Sequence, residues 1–167
     1  TIDSELQKFC YEKLKGLSGS VSVINVKNGE FYALASSPSY DPNIFSKSVS
    51  NETWENLLSN KYKPLINKSI SNQYPPGSTI KPFVAIAALE AGISESKSIF
   101  CNGKHEIADK SLESGVKTFH CWKKQGHGNV DLNEAIKVSC DVYFYQIARE
   151  IGINKIAEVC KRFGLGK

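Results

Sequence analysis

The chain has 167 residues, 41% of them hydrophobic and 23% charged, which lies within the range of ordinary folded domains and outside disordered, collagen-like and low-complexity compositions. The length suits one domain or part of one. The net charge of +4 comes from 21 basic and 17 acidic residues scattered along the chain, so nucleic-acid binding gets no support. No run approaches the roughly 18–20 apolar residues of a membrane span, and a soluble chain without a leader at Thr1 is expected.

Ile2, Leu6, Phe9, Cys10, Leu14 and Leu17 recur at helical spacing, which predicts an amphipathic helix over residues 1–18 that ends near Gly16 to Gly19. Ser20 to Val26 reads as a strand, and Asn28-Gly29 predicts a tight hairpin turn into a second strand, Glu30 to Ala35. From Ser36 to Gly77 the sequence is rich in Ser, Asn, Lys and Pro, with one short helix expected around Trp54, Leu57 and Leu58. A connection this long usually carries function or binds a partner.

The run from Phe83 to Leu89 is apolar and Ala-rich, so it predicts a buried helix stopped by Gly92, with Ser78, Thr79, Ile80, Lys81 and Pro82 in its first turn. Residues 93–130 are polar and loop-like. Three helices are expected after them: one around Leu132 to Val138, one from Val142 to Gly152, and one from Asn154 to Phe163. No internal repeat is present.

Ser-x-x-Lys occurs three times, at Ser78 with Lys81, Ser94 with Lys97 and Ser114 with Lys117. The last two lie in polar sequence, where solvated side chains suffice as an account. Ser78 follows Pro75-Pro76-Gly77 at the start of a buried helix, and i, i+3 spacing brings Lys81 to the same face. Free N–H groups there, the positive helix end and apolar burial favour an uncharged lysine beside a hydroxyl, the setting of an activated nucleophile. The plainer reading makes Ser78 an N-cap and Lys81 a surface lysine. Likewise Ser139-Cys140-Asp141, at the junction of two expected helices, reads on its own as a helix cap.

Taken together, Tyr74-Pro75-Pro76-Gly77-Ser78-Thr79-Ile80-Lys81-Pro82 closely resembles the nucleophile motif of penicillin-binding proteins. Ser139-Cys140-Asp141 resembles their second motif, in the Ser-x-Asp form of the class B transpeptidases called penicillin-binding protein 2. Gly29-Glu30 and Ala35 to Asn43 resemble the segment that enters such domains. The resemblance implies an α+β fold of the penicillin-binding and serine β-lactamase type, built as a helix, a β-hairpin and then a mainly helical subdomain. It also implies acyl transfer, with Ser78 attacking the D-Ala-D-Ala carbonyl of a peptidoglycan stem peptide and penicillins trapping the same serine. Lys81 would be the general base, Ser139 a proton relay, Asp141 an orienting group and the Ser78 N–H part of the oxyanion hole.

The family's third motif, Lys-Thr/Ser-Gly, is absent, since Lys117-Thr118-Phe119 neither matches it nor follows the second motif. Residues 1–167 are therefore expected to be a partial transpeptidase domain without the later strands of its sheet, and one hairpin edge would be left open.

Cys101, Cys121, His127 and Cys140 stand 20, 6 and 13 positions apart, an irregular spacing that nonetheless supplies soft thiolate and imidazole ligands. Trp122 to Gly128 resembles the segment before the second motif in penicillin-binding protein 2, some members of which hold zinc with acidic, His and Cys ligands. The resemblance implies a structural Zn2+ site here. A Cys101–Cys121 disulfide or buried free thiols are the alternatives, with His120 as a substitute ligand. His105 and His120 are expected to be exposed, and Cys10, Cys160, Phe144, Tyr145 and Phe163 to be core residues.

By resemblance the partners are stem peptides, β-lactams and an elongation-complex glycosyltransferase, and the location is the periplasmic face of the cytoplasmic membrane, reached through an anchor outside this sequence. Other readings are a β-lactamase or β-lactam sensor, and a zinc-stabilised binding fragment without catalysis.

Overall fold

The Asp3 carboxylate accepts the N–H groups of Glu5 (3.0 Å) and Leu6 (2.9 Å) and so opens helix α1, Ser4–Leu14. In this computed structural model, which describes residues 2–46 and 48–166, the chain divides into two units, the second starting at Pro75. In the first, α1 lays Leu6, Cys10 and Leu14, an i, i+4, i+8 stripe, onto Val21, Val23, Ala33 and Ala35 of a hairpin. Ile2, Phe9 and Leu17, expected on that apolar face, are instead largely exposed because the strands cover only this narrow stripe.

The hairpin pairs β1, Gly19–Ile24, with β2, Phe31–Ser37, antiparallel from Gly19 opposite Ser37 to Ile24 opposite Phe31. Its connection is not the expected two-residue Asn28-Gly29 turn. Asn25 N–H bonds the Glu30 carbonyl and Gly29 N–H bonds the Asn25 carbonyl, both at 2.8 Å, closing a wider loop. The side-chain oxygens of Asn25 and Asn28 accept the Lys27 and Glu30 N–H groups, the local bonding by which asparagine competes with a tight turn. Only Gly29 there has positive φ (+77°), whereas the tight turn needs two such residues.

Beyond β2, a 3₁₀ turn (Pro42–Ser46) precedes α2, Asn51–Ser59, whose cap Ser50 accepts the Thr53 N–H; this is the helix expected around Trp54. A short α3, Lys68–Ser71, is tied to β2 by Lys68 N–H to Ser36 Oγ (3.0 Å) and Ser69 Oγ to the Ala35 carbonyl (3.1 Å).

The second unit begins with a 3₁₀ turn, Gly77–Ile80, that runs into α4, Lys81–Glu90. The polar stretch expected to be loop contains four short strands: β3 (Ile99–Cys101), β4 (Lys104–Ala108), β5 (Val116–His120) and β6 (Gly128–Val130). β3 pairs with β6 and β4 with β5, all antiparallel. β4 does alternate exposed and half-buried positions, but its inward residues are His105 and Ile107 and each of the four strands spans only three to five residues, too little for an apolar pattern, which is why the sequence hides them.

Three helices follow: α5 (Leu132–Lys137), capped by Asp131 Oδ1 on the Glu134 N–H, α6 (Asp141–Ile151) and α7 (Ile153–Arg162). Val84, Ala87 and Ala88 of α4, Val142, Tyr143 and Ile147 of α6, and Ile156 and Val159 of α7 form the core. Full burial of each larger aliphatic side chain is worth about 1.5–3 kcal/mol. Cys10, Phe144 and partly buried Cys160 follow expectation, whereas Phe163 is 57% exposed and only edges onto the Phe83 ring. His105 also departs from expectation: its Nε2 is buried without a partner among the described residues, with the ring 6.4 Å from that of Tyr145.

Candidate functional site

Gly77, at φ +55°, turns the chain into the 3₁₀ turn that carries Ser78, and the helix proper starts only at Lys81, with Ile80 as its cap. Ser78 is therefore not an N-cap, and its hydroxyl is free to face elsewhere. Lys81 is not a surface lysine either, being 8% exposed. Its Nζ donates to the Ser139 carbonyl (2.8 Å), Ser139 Oγ (2.9 Å) and Asp141 Oδ1 (2.6 Å). An ammonium has three donors, and all are used.

Ser139 lies between α5 and α6, and neither it nor Asp141 caps a helix: the α6 cap is Cys140. The Cys140 N–H bonds the Ala135 carbonyl (2.9 Å) and the Ser139 N–H bonds the Ile136 carbonyl (3.1 Å), the paired bonds that close a helix through a left-handed residue. That residue is Ser139, at φ +52°. A non-glycine residue there carries about 1–2 kcal/mol of strain, a feature that clusters at functional sites. The strained backbone aims Ser139 Oγ at Ser78 Oγ, 3.1 Å away. Lys81 has no hydrogen bond to Ser78 among the described residues, so the link between them runs through Ser139.

Asp141 divides its carboxylate between two donors. Oδ1 meets Lys81, and Oδ2 accepts the Trp122 backbone N–H at 3.0 Å. The Lys81 ammonium also sits 5.7 Å from the centre of the Phe144 ring, so one wall of the pair is apolar. The other two Ser-x-x-Lys pairs do nothing comparable: Lys97 is paired with Glu150, and Ser114 Oγ bonds the Val116 carbonyl.

Beside this hub, the ligand atoms of Cys101, Cys121, His127 and Cys140 lie within 4.8 Å of one another. His127 Nδ1 is 3.5 Å from Cys121 Sγ and 3.7 Å from Cys101 Sγ. A tetrahedral ion with bonds of about 2.0–2.3 Å spaces its ligand atoms by ~3.5–3.8 Å, so the donor set fits a metal. All five cysteines of the chain are free thiols, and the Cys101–Cys121 disulfide is not formed. His120 is exposed and outside the cluster.

Two glycines permit the convergence. A Cβ on Gly126 (φ +81°) would fall 2.1 Å from the Cys101 carbonyl oxygen, and one on Gly103 (φ +93°) 1.9 Å from that of Lys124. Burial pushes the Cys140 thiol up to about 12. In Cys101 burial is outweighed by hydrogen bonds from the His127 and Gly103 backbone and from the other two thiols, and its value is lowered. Burial, with Lys123 next, lowers that of His127.

Trp122, Gly103 and Gly126 were missed as contributors by sequence reasoning. The signal available was glycine at fixed offsets from cysteine and histidine, which points to close backbone approach without saying against what.

A serine, a lysine, a second serine and an aspartate joined in one hydrogen-bonded chain at a helix start define the class. Residues 19–167 match the penicillin binding protein transpeptidase domain, and the chain belongs to that family. Its α+β architecture is that of the N-terminal part of this fold. It is 42% identical to the peptidoglycan D,D-transpeptidase MrdA of Haemophilus influenzae over 99% of its own length and 25% of that protein. Among solved structures it resembles Helicobacter pylori PBP2 in complex with MreC, with a TM-score of 0.90 and 34% identity over 100% of this chain and 30% of that one. Penicillin-binding protein A of Mycobacterium tuberculosis, as a penicillin G acyl-enzyme complex, gives a TM-score of 0.81 and 29% identity over 96% of this chain and 38% of that one. The chain spans about a quarter of the length of the curated relatives it matches.

Proposed function

We propose that the protein carrying this chain is a peptidoglycan D,D-transpeptidase of the cell-elongation type, acting at the periplasmic face of the cytoplasmic membrane. The observation that carries this reading is the Ser78–Ser139–Lys81–Asp141 chain of hydrogen bonds. Ser78 Oγ attacks the carbonyl of a D-Ala-D-Ala stem peptide, the amide C–N bond breaks, and terminal D-alanine leaves with the proton. An amine of a neighbouring stem then attacks the acyl-serine and frees Ser78.

Lys81 serves as general base as the uncharged amine, its lone pair turned to Ser139 Oγ: Ser139 gives its hydroxyl proton to Nζ as it takes the proton leaving Ser78, because Lys81 itself touches Ser139 and not Ser78. The same hydroxyl hands a proton to the departing amine. Asp141 fixes Lys81, and the Ser78 N–H, at the start of the helical segment, stabilises the tetrahedral oxyanion. The penicillin G acyl-enzyme of the mycobacterial relative supports the same serine chemistry with β-lactams here.

In the same reading Cys101, Cys121, His127 and Cys140 hold a structural zinc ion. When bound, the ion ties the loop that carries Trp122 to the middle residue of Ser139-Cys140-Asp141, and it takes no part in acyl transfer. The MreC complex of the Helicobacter relative supports an elongation-complex setting, in which a glycosyltransferase is a further partner.

The test is labelling by a fluorescent penicillin followed by peptide mapping in the full protein. The label is expected on Ser78 and absent in Ser78→Ala; label on another residue overturns the assignment.

A further inference from the structure

Trp122 touches the second motif and the residue that precedes it. Its backbone N–H donates to Asp141 Oδ2 (3.0 Å), and its indole Nε1–H donates to the carbonyl of Val138 (3.0 Å). Val138 and Asp141 flank Ser139 on either side, and Ser139 is the residue held at φ +52°. A left-handed serine is disfavoured and persists only where its surroundings over-determine it. The bonds that end α5 supply part of that constraint, and Trp122 supplies contacts on both sides of the strained residue.

Trp122 is 65% exposed, so little apolar burial accounts for a tryptophan here. Its ring rests edgewise on His127, with centroids 5.3 Å apart, which fixes the direction of the N–H.

We infer that Trp122 is a positioning residue: its indole N–H locks the Val138 carbonyl and thereby holds Ser139 in the left-handed conformation that aims its hydroxyl at Ser78. The link to reaction rate rests on the transpeptidase reading above; the link to backbone order does not.

Two replacements remove the donor and keep a ring against His127: Trp122→Phe, and benzothienylalanine at position 122, in which sulfur stands where the indole has N–H. Peptide-resolved hydrogen exchange of the full protein reads the Ser139 and Cys140 amides. Both variants are expected to exchange these about tenfold faster than wild type while α4 is unchanged, as loss of one hydrogen bond implies. Benzylpenicillin labelling reads a second quantity, with the first-order acylation constant expected to fall about tenfold at full amplitude.

Exchange at the wild-type rate in the benzothienyl variant overturns the inference, whatever the labelling shows. Reduced labelling amplitude at an unchanged rate constant is the mark of misfolding and also overturns it. If wild type takes no label, the transpeptidase reading fails, while faster exchange at Ser139 still upholds the positioning role.

Discussion

Ser139 Oγ stands 3.1 Å from Ser78 Oγ although 61 positions separate the two residues, and it does so from a backbone at φ +52°. The conformation that places the hydroxyl is one that glycine adopts more readily than serine, so position 139 sets stability against chemistry.

Ser139→Gly separates the two. Glycine relieves about 1 kcal/mol of left-handed strain but removes the Oγ acceptor of the buried Lys81 Nζ, a loss of about 1–3 kcal/mol, so thermal stability should hold or fall slightly. Penicillin acylation should fall by about 100-fold or more, as expected for loss of a proton-relay group. Melting curves and labelling kinetics on the same preparation check both outcomes.

Asp141→Asn probes the divided carboxylate. Asparagine has one oxygen to offer where Lys81 Nζ–H and Trp122 N–H each now have their own, so either orientation leaves a donor facing an amide N–H. The pair is partly exposed, with 21% of the Asp141 side chain accessible, which keeps the loss to about 1–3 kcal/mol. Denaturant midpoints should drop accordingly, and the acylation rate should fall as well.

Gly126→Ala tests the close approach. The new Cβ would meet the Cys101 carbonyl at 2.1 Å, and alanine is strained at φ +81°, so several kcal/mol of destabilisation are expected. Because the displaced backbone carries Cys101 and lies beside His127, metal retained after purification should fall with stability. Elemental analysis alongside melting curves reads the two together.

Acidification tests His127. Burial holds its imidazole below the ordinary value of 6.5, so the fold favours the neutral ring while the unfolded chain takes up a proton at about that pH. This contribution to stability is complete above about pH 6.5 and is lost as pH falls from there through the lower folded value. Protons compete for the same nitrogen and for the thiolates, so a metal held as proposed by these four residues should be released over the same acid range. Melting temperature and the amount of metal bound, followed from pH 8 to pH 5, should decline together. Stability that stays flat across that range, with no metal released, contradicts the assignment.

The sequence determined a good deal alone. The Ala-rich run gave α4, the apolar positions from Leu132 to Val138 gave α5, and Gly152 separated α6 from α7, because apolar periodicity and glycine stops are local properties. Ser-x-x-Lys and Ser139-Cys140-Asp141 pointed to acyl transfer as a pair, since their order and context made the resemblance specific.

Tertiary structure alone decided the rest. That Lys81 reaches Ser78 through Ser139, that Asp141 is shared with Trp122, and that the expected ligands Cys101 and Cys140 do meet are facts about groups 19 to 61 positions apart. Their meeting depends on packing and on the room that Gly103 and Gly126 leave, which no local pattern encodes. The four short strands stayed hidden for the same reason: their pairing, more than their side-chain alternation, is what makes them strands.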